Sequence, residues 1–298
     1  MTSVVDSRCA HPISPTGTFI TVTGGSGYIG SHVVAALEAS GATVRTVGRS
    51  ELRDPASTTR AMAGASAVVH CVSAVSGTPE DLRRSNVEVA ATVARAAQAA
   101  GVERLIAVST ASVTGRGPHR GAAAPPTNPA SAVSASRAEG EEVLLGAGAI
   151  IIRPNLVWGA GDRWVVPTLA SSFVGQGTAR SWRARVSAVN VRDLASGISR
   201  LASTSSEALG TQRVLHADAP GPFLVAEIGQ WISDRLLPRV RPLTATTLTP
   251  HQQSMLEIDN WFDSAQFWEL AGVRPGLPFS PSVADLEWYA DYLSVSTN

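Results

Sequence analysis

Short runs of apolar, often β-branched residues recur along the first half of the chain, separated by longer stretches with helical spacing. Phe19-Ile20-Thr21-Val22-Thr23 predicts a buried first strand. A glycine turn follows, then a helix from Tyr28 to Ser40, with Gly41 in the left-handed closing position. Ala42 to Val47 predicts a second strand. Asp54-Pro55 predicts a helix start, with aspartate as cap and proline as the first helical residue. Ala67 to Val72 is the next strand, Ser85 to Ala100 an alanine-rich helix ended by Gly101, and Leu105 to Val108 a further strand. Residues 115–129, rich in glycine, proline and alanine, predict a loop. Ser134 to Leu145 predicts a helix and Ala149 to Ile152 another strand.

Strands alternating with helices imply an α/β fold with a doubly wound parallel sheet, Rossmann-like. Beyond Pro154 the pattern loosens into short helices and three weak strands near 184–191, 212–217 and 239–244. The expected organisation is therefore a dinucleotide-binding domain over 18–155 and a smaller C-terminal substrate lobe over 156–298. Some strands and helices of the second part are expected to return to the core. Residues 1–17 predict a polar, disordered leader. Asp6, Arg8, His11 and Pro12 interrupt any apolar core of the kind a signal peptide needs.

Composition narrows the function classes. The 298 residues carry zero formal charge, and all 24 basic residues are arginine, with no lysine in the chain. Scattered arginines leave no electrostatic footprint for nucleic acid or an anionic membrane. No apolar run reaches the roughly 18 residues needed to cross a bilayer. Cys9 and Cys71 do not make a disulfide framework. A cytoplasmic protein with a small-molecule partner is expected. No metal-ligand spacing is present.

The chemistry is concentrated in Thr23-Gly24-Gly25-Ser26-Gly27-Tyr28-Ile29-Gly30. Gly24 permits a tight turn, Gly27 lets backbone approach a pyrophosphate, and Gly30 allows close helix–strand packing. The pyrophosphate would sit on the amides of the helix that begins at Tyr28 and Ile29. The motif follows a predicted strand and opens a predicted helix, as a dinucleotide site requires. After the second strand comes Arg49, where an acidic residue would bind the 2′-hydroxyl of NAD and an arginine can pair with the 2′-phosphate of NADP. NADP is therefore expected in preference to NAD.

This turn, with Ser31-His32 after it, resembles the extended short-chain dehydrogenase/reductases, the NAD-dependent epimerase/dehydratase family. The resemblance continues through Val68-Val69-His70, Asn86-Val87, Val108-Ser109-Thr110, Val113-Thr114-Gly115, Ser136-Arg137-Ala138-Glu139-Gly140-Glu141 and Arg153-Pro154. Val157-Trp158-Gly159-Ala160-Gly161-Asp162-Arg163 and Val189-Asn190-Val191-Arg192-Asp193-Leu194-Ala195 extend it, so that it covers residues 18–200 in order. It implies cofactor contacts from Gly24, Gly27, Tyr28, Ile29, Arg49, Glu51, Arg137 and Pro154. Glu51 falls at the family's adenine-contacting aspartate. The segment before Glu51-Leu52-Arg53-Asp54 is shorter than in the family, so the adenine pocket is trimmed.

The resemblance also marks what is missing. The family's catalytic pair, a tyrosine four residues before a lysine, aligns with Val133 and Arg137. The chain is thus an extended or atypical member without the usual proton donor. Valine cannot transfer a proton. Arginine keeps the charge but not the point-charge geometry, and its alternative role is a surface pair with Glu141 one helical turn on. Thr110 falls at the family's catalytic serine or threonine, or else caps backbone at a strand end. His119, in the expected loop, is a candidate substitute donor because histidine changes charge near neutral pH. An exposed loop histidine is the competing reading. Asn155, after Pro154, could orient a carbonyl.

Sugar-nucleotide enzymes of the family often place an arginine seven residues before the aspartate matched by Asp193. Val186 stands there, with Arg185 displaced by one and so on the opposite strand face. A small or hydrophobic, non-nucleotide substrate fits better. Trp158, Trp164 and Trp182 could line an apolar pocket or belong to the core. Three readings stay open: a divergent NADP(H)-binding reductase or epimerase; a non-redox cyclase, isomerase or dehydratase; and a nucleotide-sensing or scaffold protein. Family precedent also allows a homodimer.

Overall fold

A computed structural model of the chain describes residues 19–176, 182–204 and 211–295; the expected leader and Cys9 lie outside them. The first half contains β1 (Phe19–Thr23), α1 (Tyr28–Ala39), β2 (Thr43–Val47), α2 (Pro55–Met62), β3 (Ala67–His70), α3 (Pro79–Arg83), α4 (Val89–Ala99), β4 (Arg104–Val108), β5 (His119–Ala122), α5 (Ala132–Gly146) and β6 (Ile150–Arg153). The second half adds β7 (Leu156–Trp158), α6 (Val165–Gln176), β8 (Arg185–Val186), β9 (Ala188–Asn190), α7 (Val191–Ser203), β10 (Val214–His216), β11 (Phe223–Leu224), α8 (Ala226–Trp231), α9 (Pro250–Glu257), β12 (Asn260–Phe262), α10 (Ala265–Ala271) and α11 (Val283–Val295).

Six parallel strands form the central sheet in the order β2-β1-β3-β4-β6-β10. The order reverses direction between β1 and β3, the switch point at which such sheets bind ligands. Some doubly wound sheets carry one more strand outside the second, and others end at it. Here the chain leaves β2 at Val47, turns through Glu51–Arg53 and enters α2 directly, so β2 is the edge. Asp54 caps α2 through bonds from the amides of Ala56 and Ser57, as the Asp-Pro signal implies.

Side-chain alternation on the strands builds a core on each face. Ile20, Val22, Ile106, Ile150 and Ile152 pack against α1 and α7 through Val33, Leu37, Leu194 and Ile198. Val47, Val68, Leu105 and Ile151 face the opposite way, onto Ala90 and Val93 of α4. A one-residue slip in any of these strands would exchange the two cores.

Apart from α7, β10 and α10, which join the central core, the second half forms a lobe with a four-stranded sheet β11-β8-β12-β5, in which β5 comes from the first half, and a pair β7-β9. Its core is aromatic-rich, including Trp158, Trp182, Phe223 and Tyr289. Two expectations are corrected here. The predicted loop 115–129 contains β5, which joins β12 through backbone bonds and not through any apolar alternation in His119-Arg120-Gly121-Ala122. No strand forms over 239–244. The strand near 212–217 returns to the central sheet, as expected of part of the second half, where β10 pairs with β6. No helix of the described residues is long and apolar enough to cross a membrane.

Candidate active site

The glycine turn lies at the carboxyl end of β1. Gly24 adopts φ 76°, and a Cβ there would come within 2.9 Å of backbone atoms of Cys71 and Val72. A Cβ on Gly30 would lie 2.1 Å from the Gly24 carbonyl oxygen, so this glycine sets how closely α1 approaches the strand. The cap residue of α1, Gly27, brings no side-chain acceptor. The first-turn amides, beginning with Tyr28 and Ile29, are therefore left for an anion. The ring of Tyr28 turns away into the protein, edge-on to His32 at 6.0 Å and packed against Gly161. Burial, then the carboxylates of Asp162 and Asp285, holds its hydroxyl far above the usual tyrosine range.

Beside this turn, a cleft of about 580 Å³ runs along the ends of β2 and β3. Arg49, Arg53 and Arg84 line it with Leu52, Val72, Ser73, Val75 and Trp164, and none of its lining residues is acidic. Arg84 is paired with Asp81. The guanidinium groups of Arg49 and Arg53 make no hydrogen bond or ion pair among the described residues, although the Arg53 amide donates to the Ser50 carbonyl at 3.3 Å. Glu51 folds back, its carboxylate accepting the Gly48 amide at 3.0 Å. Arg53 and Arg84 escaped the sequence reading because nothing in a linear pattern brings them to Arg49.

The second half of the site lies at the ends of β4 and β6. Thr110 caps the short helical turn Ala111–Thr114: its Oγ1 accepts the Ser112 amide and donates to Ser112 Oγ, both at 3.2 Å. The next residue, Ala111, donates to the carbonyl of Pro154 at 2.8 Å, joining the ends of the two strands. Val133 stands in the first turn of α5, half-buried, behind a cap in which Ser131 and Ser134 bond each other. One turn on, Arg137 Nη2 donates to the Val108 carbonyl at 2.8 Å. Burial lowers its pKa to about 10, which leaves it cationic at neutral pH.

The alternative role for Arg137, a surface pair with Glu141, does not form. Glu141 is buried and takes the Arg153 guanidinium through both carboxylate oxygens, at 2.6–3.1 Å. Around Arg137, His70 shares a 2.7 Å hydrogen bond with Thr23 and is pushed down to about 4 by burial and then by Arg137. Burial raises the Cys71 thiol to about 12. The corner therefore holds a neutral imidazole, a neutral thiol and one cation near pH 7.

His119 and Asn155 are tied to the lobe. His119 Nε2–H donates to the Thr114 carbonyl at 3.2 Å, and its ring lies 5.2 Å from Phe262. Phe262 in turn stacks on His216 at 4.0 Å. The Asn155 amide nitrogen donates to the carbonyls of Ser187 and Asn260 at 3.1 and 2.9 Å, and its backbone N–H to Asp218. Asp218 is fully buried, also accepts the Ser187 hydroxyl, and is raised to about 7 by burial. Neither Asp218 nor the Glu141–Arg153 pair was marked by the sequence, since each gains its role from burial alone.

Among the described residues no cluster of three or more His, Cys, Asp or Glu could hold a metal. Trp158 and Trp182 are buried in the lobe core, whereas Trp164 is exposed in the cleft.

Comparison with known proteins gives this geometry a context. Residues 20–214 match the family model described as NAD dependent epimerase/dehydratase family. A ketoreductase of Stigmatella aurantiaca, named for 4-hydroxy-2-methyl-3-oxo-4-farnesyl-3,4-dihydroquinoline-1-oxide, is 31% identical over 180 residues, 51% of this chain and 54% of that protein. The 2-alkyl-3-oxoalkanoate reductase of Stenotrophomonas maltophilia is 31% identical over 179 residues, with the same shares. The chain thus spans about half the length of the curated relatives it matches. Among solved structures, MoeE5 in complex with UDP-glucose and NAD superposes with a TM-score of 0.72 at 19% identity, covering 94% of this chain and 99% of that one. DesIV from Streptomyces venezuelae, a dTDP-glucose 4,6-dehydratase with NAD bound, gives 0.71 at 21% identity, covering 92% and 97%. These likenesses establish the Rossmann-like fold, and the family match covers most of the chain: it belongs to the NAD-dependent epimerase/dehydratase family.

Proposed function

We propose that the protein is an NADP(H)-dependent reductase of a ketone carried on a small, apolar, non-nucleotide molecule, working in the cytoplasm. The observation that carries this reading is the acid-free cleft beside the glycine turn, with Arg49 and Arg53 unpaired. An NAD site wants a carboxylate for the 2′-hydroxyl, whereas a 2′-phosphate wants cations. The solved neighbours hold NAD, so the difference lies in this chain's own edge residues. Both curated relatives are named as reductases of oxo compounds with apolar substituents, which supports the reaction and the substrate class. Val186 in place of a diphosphate-gripping arginine is buried, and Arg185 points to solvent, which fits a substrate without a nucleotide.

Reduced nicotinamide supplies a hydride when bound, and this chain's residues must hold the carbonyl and see its oxygen protonated. The amides at the start of α1 and the arginines of the cleft would hold the dinucleotide, with Arg137 and Pro154 at its inner end. Because Thr110 donates to Ser112, the Ser112 hydroxyl hydrogen is free to bond a substrate oxygen. No tyrosine or lysine stands behind it, so the proton is drawn from solvent through that hydroxyl. Val133 favours one second reading, a non-redox isomerase, cyclase or dehydratase on the same scaffold. Incubation with NADPH and a panel of 3-oxo acids and cyclic ketones separates the two. Stoichiometric NADPH oxidation supports the reductase, and product formation with NADPH intact supports the non-redox enzyme.

A further inference from the structure

Two of the large apolar side chains that the described surface leaves open, Val75 at 48% and Trp164 at 59% exposure, line the same arginine cleft. An indole in water forgoes burial that most tryptophans obtain. Its backbone is nevertheless pinned. The Trp164 amide donates to Asp162 Oδ1 at 2.8 Å, and those of Val165 and Val166 bond the same carboxylate at 2.8 and 2.9 Å. Asp162 is fully buried and also accepts the Tyr289 hydroxyl of α11 at 3.0 Å. The preceding residues rest on α1, where His32 shares a 2.8 Å hydrogen bond with the Ala160 carbonyl and Gly161 packs on Tyr28. A rigid turn thus carries a flat aromatic face from the lobe to the cleft wall.

The same cleft is lined by the guanidinium groups of Arg49 and Arg53, which have no partners among the described residues. A ligand suited to both has a planar π-surface joined to phosphates, which is the chemistry of a nucleotide. We propose that Trp164 is a stacking wall of the dinucleotide site, contributed by the C-terminal lobe. The inference rests on the nucleotide reading of the cleft given above. With β2 as the edge of the central sheet, no further strand flanks the cleft, and Trp164 would supply contact area there from the other lobe. Cofactor binding then draws on the lobe's packing against α1 as well as on the glycine turn.

The test is calorimetric titration of NADP⁺ into the wild type, Trp164→Phe and Trp164→Ala, with acrylamide quenching of tryptophan emission as a second readout. Trp164→Ala should weaken binding about tenfold or more, the range of base–aromatic stacking, while Trp164→Phe keeps most of the affinity. Saturating NADP⁺ should protect a quenchable component of the wild-type emission that is missing from Trp164→Phe. Thermal unfolding checks that the variants fold, as an exposed side chain implies. Equal affinity in wild type and Trp164→Ala, or no protection from quenching, overturns the stacking role. Absence of binding by the wild type overturns the nucleotide reading and the inference together; the wild-type titration decides the first, the ratio of affinities the second.

Discussion

The arginine cleft and the corner beneath Thr110 both lie at the carboxyl ends of the central strands, yet they treat polar groups in opposite ways. In the cleft, Arg49 and Arg53 are unpaired and face open space. In the corner, Thr110 caps a turn, Arg137 bonds Val108, Asn155 bonds Ser187 and Asn260, and His119 bonds Thr114. The first region is prepared for an anion from outside. The second is braced internally, with the Ser112 hydroxyl hydrogen left free by the Thr110 bond and the Ser109 hydroxyl buried without a partner among the described residues. On the proposed reading, binding and proton chemistry are separated: the cleft would hold the dinucleotide, while the corner would frame the reacting carbonyl with Val133 and Arg137 where the resemblance expects a tyrosine and a lysine.

If the corner is mainly a frame, its largest sensitivity is structural. Glu141→Leu should destabilise the fold by roughly 3–5 kcal/mol, because it leaves the Arg153 cation buried and unpaired. Denaturant unfolding measures this, and a loss below about 1 kcal/mol would show that the pair braces nothing. Catalytic repair is the next largest effect. Val133→Tyr or Arg137→Lys alone should change turnover little, since a tyrosine needs the neighbouring lysine and a lysine needs the tyrosine. The double variant should gain up to about 100-fold, within the range of a positioned general acid. Strict additivity in the cycle would mean that the two positions do not face the cofactor together. His119→Ala should leave rate and pH profile unchanged; loss of a pH inflection would make it the donor.

The smallest effect concerns Asp218, which links corner and lobe. Its carboxyl is raised by burial from 3.8 to about 7, so the folded chain holds a proton that the unfolded chain has released. Its contribution to stability therefore falls as pH rises from about 4 to about 7. His216 and His70, lowered by burial to about 3 and about 4, act in the opposite sense below 6.5. Asp218→Asn isolates one contribution from the other. Its stability relative to wild type should increase between pH 4 and 7 and then level off. A constant difference would place the titration elsewhere.

Much of this architecture was legible in the chain because it rests on local signals. The apolar run Phe19–Thr23, the Asp54-Pro55 start and the glycines at 24, 27 and 30 each specify backbone geometry through their own residues. The short path from Ser50 to Glu51 was visible as a trimmed segment, though not that it leaves β2 as the sheet edge. The lobe was less legible, since β5, β11 and β12 are held by backbone pairing between distant segments and carry no alternation. Site residues divided in the same way. Arg49 could be read from its place after a strand, whereas Arg53, Arg84 and Trp164 meet it only through tertiary packing. The Arg137–Glu141 spacing suggested a helix-surface pair, but burial of Glu141 gave that carboxylate to Arg153.

The most direct test of the central claim is titration of NADPH and NADH into the full chain and into an Arg49→Ser, Arg53→Ser double variant. The unpaired guanidinium groups predict that NADPH binds the wild type at least about tenfold more tightly than NADH. The double variant should lose roughly 10- to 100-fold in NADPH affinity, the scale of charge-assisted hydrogen bonds to a phosphate, and change little toward NADH. Equal binding of the two nucleotides by the wild type, or an NADPH affinity indifferent to both arginines, would contradict the account.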